Sequence, residues 1–419
     1  MGKKVCVIGS GPVGASIAAY LLDVKYEVTM IDDSDCEPSS NYEGFLPISK
    51  HGVKDSIGLD LSNEFGGFSN KWGGVISNNK KIDQNTFKEL DKYFGIFTPE
   101  YIKGCNCRIL SKNLSNETTL DLWDALIATE NNKEIIWNSQ LFLKDSLKRE
   151  KPFRYINKTR VDRIEQTSDG LNIKINGKNE FFDYVLVCAG PIGNAILKLK
   201  IGKTHKITIS DTQMLYIPFF SRHKNLNSSC KRISCSQVAS ILAKNVNQQP
   251  CQVQIYSHIY KYAERISKIL KINNPKIVRK ILKVLDGHLF VALMYLPEEI
   301  SEKIVIEKNS KEIQAYKARN KSFRKDKQVY LRKLKEVLRK DSYLMFPRTA
   351  YTTNVGKSYH LGKHKEHVLI DENADLNSTN NIFFYGSSEF LMLKPGAVTF
   401  ESIQFSLEKL RRDLNLPKI

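Results

Sequence analysis

The sequence predicts an α/β protein: a Rossmann-like, parallel-sheet domain interrupted by a second domain built on a mainly antiparallel sheet. Three observations predict it. A buried-strand pattern, KVCVI (Lys4 to Ile8), runs directly into the glycine-rich GSGPVG. Strand patterns of the same kind return at 184–188 and 381–385. Between 206 and 350, strand-like runs follow one another without regular strand–helix alternation, which points to antiparallel pairing. A chain of 419 residues exceeds one ordinary core, so two connected domains are expected.

The elements follow in order. Val5 to Ile8 are apolar on both faces, as in a strand buried between layers. Gly9, Gly11 and Gly14 then have the G-x-G-x-x-G spacing, and a helical stretch covers Pro12 to Val24. A second strand, EVTMI, ends before Asp32, 23 positions after Gly9, with Asp33 beside it. Gly9 permits a tight turn, Gly11 lets backbone approach a pyrophosphate, and Gly14 packs helix closely on strand. The helix N-terminus faces the phosphates and the acid accepts ribose hydroxyls. This register points to a dinucleotide, and by itself leaves FAD and NAD open.

GGFSNKWGG, residues 66 to 74, has four glycines and a nearly bare backbone. From Asn157 onward a hairpin pattern turns near 168–170 and at Asn176-Gly177, and a buried strand over Tyr184 to Cys188 ends in AGPIGN. The second region carries the strand-like runs KITIS, MLYIPFF, CQVQIYSHIY and HLFVALMYL. It also holds a basic helical stretch, Arg265 to Leu285, with apolar residues at helical spacing on both sides of Pro275, and a Lys/Arg-rich helix over 317–340. The strand NIFFY leads into GSSEF. A last helix shows Ile403, Leu407, Leu410 and Leu414 along one face.

Composition narrows the function. Hydrophobic residues at 41% and charged residues at 26% are ordinary for a globular chain. The net charge, 64 − 45 = +19, favours anionic partners. No nucleic-acid motif accompanies it, and Trp72 and the tyrosines are not interleaved with basic residues, so nucleic acid is not an expected partner. The longest apolar run, Leu289 to Leu296, is too short to span a bilayer. Peripheral contact through the 265–285 stretch is compatible with its basic amphipathic pattern. No signal peptide is expected, since cleavage would remove the glycine motif. The eight cysteines show no disulfide framework, which fits a cytoplasmic location. His360, His364 and His367 have metal-like spacing, but Gly362 interrupts any helix and no carboxylate completes an H-E-x-x-H, so no metal is expected.

Five segments together resemble the glucose–methanol–choline (GMC) family of FAD-dependent oxidoreductases, in its pyranose-oxidase-like branch. They are GSGPVG, GGFSNKWGG, FFDYVLVCAGPIGNA, SYHLG (358–362) and VLIDENADLNSTNNIFFYGSSEF. The resemblance covers about half of the chain, and the second region matches nothing specific. It implies an FAD-binding domain made of residues 1–105, 155–205 and 351–419, and a substrate domain or cap made of 106–154 and 206–350. It also implies the cofactor residues. Gly9, Gly11, Pro12, Val13 and Gly14 would meet the pyrophosphate, and Asp32 and Asp33 the ribose. Gly66, Gly67, Ser69, Asn70, Trp72 and Gly73 would form a loop along the flavin and pyrophosphate. Val161 would lie by the adenine, and Ala189, Gly190 and Gly193 would close over the adenosine half. Gly386 and Ser387 would meet the ribityl–phosphate end. Gly396, Ala397 and Val398 would start a helix aimed at the flavin pyrimidine. Relatives with covalent flavin carry a histidine where this chain has Lys71, so non-covalent FAD is expected.

The family's chemistry is alcohol oxidation, in which a base takes the hydroxyl proton while hydride passes to the flavin. His360, in YHLG, matches the base. The second His or Asn of the family falls on Pro395 or Gly396, so it is missing, and Lys394 is the neighbouring candidate. The expected substrate is a small molecule with a sugar-like or polyol alcohol, including a nucleotide- or lipid-linked one in surface-polysaccharide or secondary-metabolite synthesis. The missing partner residue keeps two alternatives open: an FAD-dependent sugar isomerase or mutase without net redox, and a non-catalytic FAD-binding subunit. The redox partner is not specified by any motif.

Overall fold

The computed structural model describes residues 2–34, 45–70, 72–76, 120–128, 136–140, 143–144, 152–168, 170–222, 235–242, 249–310, 312–345, 350–358, 360–368, 381–396 and 398–416. The helices that shape the site are, in chain order, α1 (Pro12–Asp23), α2 (Gly190–Ile201), α3 (Ala263–Leu270), α4 (Pro275–Val284), α5 (Phe323–Lys340) and α6 (Thr399–Asp413).

Five strands pair in the order Ile382–Phe384, Tyr184–Val187, Lys4–Ile8, Glu27–Ile31 and Phe153–Ile156, and every pair is parallel. Lys4–Ile8 is central, and the chain leaves it toward opposite sides of the sheet. That makes a topological switch point at its carboxyl end, where a crevice opens. On one face α1 and α6 share a core through Ala15, Ile17, Ile403, Leu407 and Leu410. The other face is covered by α2 and a small antiparallel sheet of strands 165–167, 170–175 and 178–182, meeting through Leu171, Ile173, Phe182 and Leu197.

The second region is built on two larger sheets. The first runs Tyr343–Met345, Met214–Ser221, Leu289–Tyr295, Cys251–Tyr256, Cys235–Ile241, Leu120–Asp124, with Tyr351–Thr352 beside Met214–Ser221, and all these pairs are antiparallel. Alternation gives each strand two faces. Leu215, Ile217, Phe219, Val253, Ile255, Phe290, Ala292 and Met294 face a core completed by Leu331, Leu334 and Leu338 of α5. The second sheet runs Leu361–Val368, Thr204–Asp211, Lys303–Lys308, Ile313–Ala318, Val53–Asp55, antiparallel except for its last pair.

Several expectations are corrected here. Val53–Asp55 and Leu361–Val368 lie within segments assigned to the nucleotide domain, yet both belong to the second antiparallel sheet. The cause is α2, which is apolar on more than one side. Leu197 packs toward the parallel sheet, while Ile192, Ala195 and Leu199 pack on the antiparallel one. The 265–285 stretch is two helices. Asn274 caps the second, its Oδ1 accepting from the Lys276 N–H at 3.1 Å, with Pro275 at the first helical position. The strand expected over CQVQIYSHIY stops at Tyr256, and a 3₁₀ turn follows over Ile259–Tyr262. The helix expected from 317 begins at Phe323, because Lys317 and Ala318 still belong to a strand.

Candidate functional site

A cavity of about 630 Å³ reaches from the carboxyl ends of the parallel strands to one face of the first antiparallel sheet. Its first part is built from glycines. Gly9 has φ +105°, and a Cβ there would sit 2.6 Å from the Cys188 carbonyl oxygen. A Cβ on Gly14 would sit 2.0 Å from the Gly9 oxygen, so α1 lies against its own entry turn. A Cβ on Gly11 would meet nothing within 4 Å, so its bare backbone faces open space. α1 begins there with no side-chain cap, which leaves its first N–H groups available to an anion. Pro12 and Val13 line the wall. The Asp32 carboxylate accepts from the Ser10 N–H at 2.5 Å and the Ser34 N–H at 2.8 Å, which fixes it at the strand tip.

The 66–73 loop lies against this turn. The Gly66 N–H donates to Ser10 Oγ at 2.9 Å, and a Cβ on Gly67 (φ +63°) would come within 3.3 Å of Gly11 Cα. Ser69 Oγ donates to the Gly66 oxygen at 2.7 Å. Asn70 Nδ2 donates to Glu64 Oε2 at 3.1 Å and to the Phe65 oxygen at 2.9 Å. Trp72 Nε1 donates to the Trp137 oxygen at 2.7 Å. Gly67, Ser69, Trp72 and Gly73 line the cavity. Gly14, Gly66 and Asn70 are not among its lining residues; Gly66 and Asn70 brace the loop. Lys71 and Ala397 lie outside the described residues.

Beyond Asp32, one end of the cavity gathers Asp33, His51, Arg160, Val161 and Lys200. Asp33 Oδ2 is 3.7 Å from His51 Nδ1. Burial raises the Asp33 carboxyl and lowers the His51 imidazole. Ala189, Gly190, Gly193, Gly386, Ser387 and Val398 also line the cavity, Gly190 and Gly386 with φ of +71° and +105°. Bare backbone at Gly11 and Gly67, a free helix N-terminus and acids at the strand tip fit a dinucleotide.

The other end holds His360. Its N–H donates to Ser358 Oγ at 3.1 Å, and that hydroxyl donates to Asp211 Oδ1 at 2.5 Å. Asp211 also accepts from the Gly356 N–H at 2.7 Å, and burial pushes its carboxyl up to about 7. The imidazole bonds through Nδ1 to the Gly396 oxygen. A carbonyl only accepts, so Nδ1 carries the proton and Nε2 keeps its lone pair. Burial lowers the ring's pKa to about 4, so it is neutral at neutral pH. The Tyr295 ring lies 4.5 Å away, centroid to centroid.

Lys394 is not brought to this point. It is exposed and is not among the lining residues. Gly396 is also absent from the lining; it acts through its carbonyl, and a Cβ there would sit 2.0 Å from Gln252 Oε1. The 361–368 tract is a strand, on which His364 Nε2 donates to the Pro191 oxygen at 2.8 Å. Among the described residues, no three side chains gather as metal ligands.

Sequence reasoning missed the wall facing His360. Met214, Tyr216, Gln254, Tyr256, Val291, Leu293 and Tyr295 are alternate residues of three adjacent strands, with Tyr216 opposite Leu293 and Gln254 opposite the same residue. Tyr256 Oη donates to Gln254 Oε1 at 2.9 Å. These strands are apolar at both parities, so period-2 patterning does not say which face lines a cavity and which a core. Ser10, His51, Arg160 and Lys200 were missed as well, since nothing local in sequence marks them.

No protein-family model matches this sequence, and no curated protein matches it. Among solved structures, a fungal aryl-alcohol oxidase superposes with a TM-score of 0.54 at 7% identity, covering 99% of each chain. The tetracycline destructase Tet(51) superposes with a TM-score of only 0.33 at 11% identity, covering 93% of this chain and 75% of its own. The first likeness shows a shared fold and nothing finer at that identity; the second carries no argument.

Proposed function

We propose that this protein is a flavin-dependent oxidoreductase that holds FAD non-covalently in the glycine-lined crevice and oxidises an alcohol beside His360. The observation that carries the reading is one continuous cavity joining a dinucleotide cradle to a neutral histidine with a free Nε2. When bound, FAD supplies the acceptor for the hydride leaving the carbinol carbon. The protein's own residues do the rest. Nε2 of His360 accepts the hydroxyl proton as the alcohol becomes a carbonyl. The Gly396 carbonyl holds the tautomer, and the Asp211–Ser358 pair holds the backbone that carries the ring. Gly11, Gly67 and the start of α1 offer N–H groups to the pyrophosphate.

The wall opposite favours an alcohol with an apolar body. Met214, Val291 and Leu293 stand among the tyrosines, and Gln254 is already engaged by Tyr256. A sugar, the class expected from the resemblance, needs several hydrogen-bond partners, whereas two of the three phenols of this wall, Tyr256 and Tyr295, donate to the same Gln254 Oε1, at 2.9 and 3.4 Å. The test is anaerobic addition of glucose, benzyl alcohol and dodecanol to the purified yellow protein. Bleaching of the flavin band by the apolar alcohols is expected, slowed about 10²–10⁴-fold in His360→Ala with bound flavin retained. A colourless protein that takes up no FAD, or a flavin band unmoved by every alcohol, would sink the proposal.

A further inference from the structure

We propose that the α3–α4 hairpin docks this protein on an anionic membrane, and that the apolar half of the cavity takes an alcohol carried in that membrane. The second half rests on the alcohol oxidation proposed above; the first does not. The hairpin has two apolar faces. Inward, Val278 and Leu282 are buried against the first antiparallel sheet. Outward, Ile277, Ile281 and Val284 recur at helical spacing and are 53%, 55% and 81% exposed. One residue of offset turns a helical stripe by about 100°, so the exposed apolar stripe runs beside the buried one. Lys276, Lys280 and Lys283 stand exposed along its other flank. Ile272, 42% exposed, extends the patch into the turn before α4, so four of the eleven large exposed hydrophobics among the described residues fall within 272–284. Residues 263–286 carry seven Lys and Arg against two acids. Arg279 and Glu264, 3.5 Å apart, tie the two helices together.

Charge and chemistry select the occupant. A helix that only packs on a sheet has no use for a second apolar stripe, since each half-exposed isoleucine forgoes about half of the ~1.5–3 kcal/mol that full burial gives. A protein partner would call for aromatic residues and few lysines at the patch centre. This stripe is aliphatic and edged by lysines, whose stems lie along an acyl boundary while their ammonium groups reach anionic headgroups. The same hairpin and its leading turn form part of the cavity wall, where Ile259, Tyr262 and Ile266 line it together with Val291 and Leu293. Docking by the hairpin therefore sets the apolar half of the chamber close to the bilayer.

The test is flotation of the purified protein with vesicles of phosphatidylcholine, alone or mixed with phosphatidylglycerol. The protein should float with the anionic vesicles only, and high salt should release it. The triple variant Ile277→Gln, Ile281→Gln, Val284→Gln should lose binding about tenfold or more with its circular dichroism unchanged. Wild type left at the bottom of the gradient, or a triple variant that floats like wild type, overturns the docking. A dimer in solution that the variant dissolves overturns it too, by assigning the face to a second copy. For the second half, dodecanol carried in anionic vesicles should bleach the flavin faster than in neutral ones, and the variant should erase that difference while benzyl alcohol in solution still bleaches it. Equal rates overturn entry from the bilayer. No bleaching by any alcohol overturns the oxidation and this half with it, and flotation decides the docking by itself.

Discussion

At the residue scale, the role proposed for His360 rests on what surrounds the ring. The Gly396 carbonyl fixes the proton on Nδ1, and burial brings the pKa down to about 4. Alcohol-dependent flavin reduction should therefore be flat through neutral pH and fall only as pH drops through about 4. Stopped-flow rates that fall instead around the ordinary histidine value of 6.5 would show that the ring is solvated. Asp211 has the opposite sign. Its folded pKa of about 7 stands above the ordinary 3.8, so the folded protein keeps a proton that the unfolded chain releases. That contribution is fully present below the ordinary value and is lost as pH rises through about 7. Asp211→Asn should remove it, so the melting temperature of the variant should drop less than that of wild type across this window. Parallel curves would refute the assignment. The glycines were the legible part of the site, because only a missing side chain solves the geometry at 9 and 14. Gly14→Ala, with a Cβ aimed at the Gly9 oxygen, should lose bound flavin and lower stability by about 1–3 kcal/mol or more. A variant that binds FAD normally would contradict the packing.

At the element scale, α2 is the joint between the two sheet systems. Its Lys198 is buried, and Nζ reaches Glu366 Oε1 at 2.6 Å on the strand Leu361–Val368 and Glu389 Oε1 at 2.9 Å in the turn after Ile382–Phe384. One cation thus bridges two carboxylates from different elements. Lys198→Met would leave those carboxylates facing one another, at a cost of about 2–4 kcal/mol, after allowing for the partial exposure of Glu366. A urea midpoint equal to wild type would show that the carboxylates rearrange without penalty. α2 also explains what the sequence hid. Strands with one buried core read correctly from their apolar pattern, as Lys4–Ile8 and Glu27–Ile31 did. A helix serving two cores, and strands apolar on both faces such as Leu289–Tyr295, carry no mark of which neighbour takes which face.

At the scale of the whole molecule, the order of layers was legible and the membership of segments was not. The glycine motif, the acid at the second strand tip and the period of α6 are local facts and need no partner to be read. Sheet membership of Val53–Asp55 or Leu361–Val368 depends on pairings across some 150–260 residues, which no local pattern encodes. Because the crevice draws on segments from across the chain, a ligand there should stabilise the entire fold. Added FAD should raise the thermal midpoint, its stabilisation growing with the logarithm of its concentration to about 2.7 kcal/mol at a hundredfold excess over its dissociation constant. A midpoint indifferent to FAD would show that the crevice belongs to something else. Heating should also release all of the yellow colour from the precipitated protein. Colour that stays with the pellet would mean a covalent link.

The parallel sheet has a consequence for the living chain. Tyr184–Val187 is flanked on one side by Lys4–Ile8, finished long before it, and on the other by Ile382–Phe384, made about two hundred residues later. A ribosome emitting this protein therefore exposes a half-built sheet with an open edge for nearly half of the time of synthesis, roughly ten seconds or more at about 5–20 residues per second. Only when Ile382–Phe384 and α6 emerge can the crevice close around its contents. The FAD proposed for that crevice would then be a late arrival, and cells short of it should accumulate a chain that is complete in length and still vulnerable at that edge.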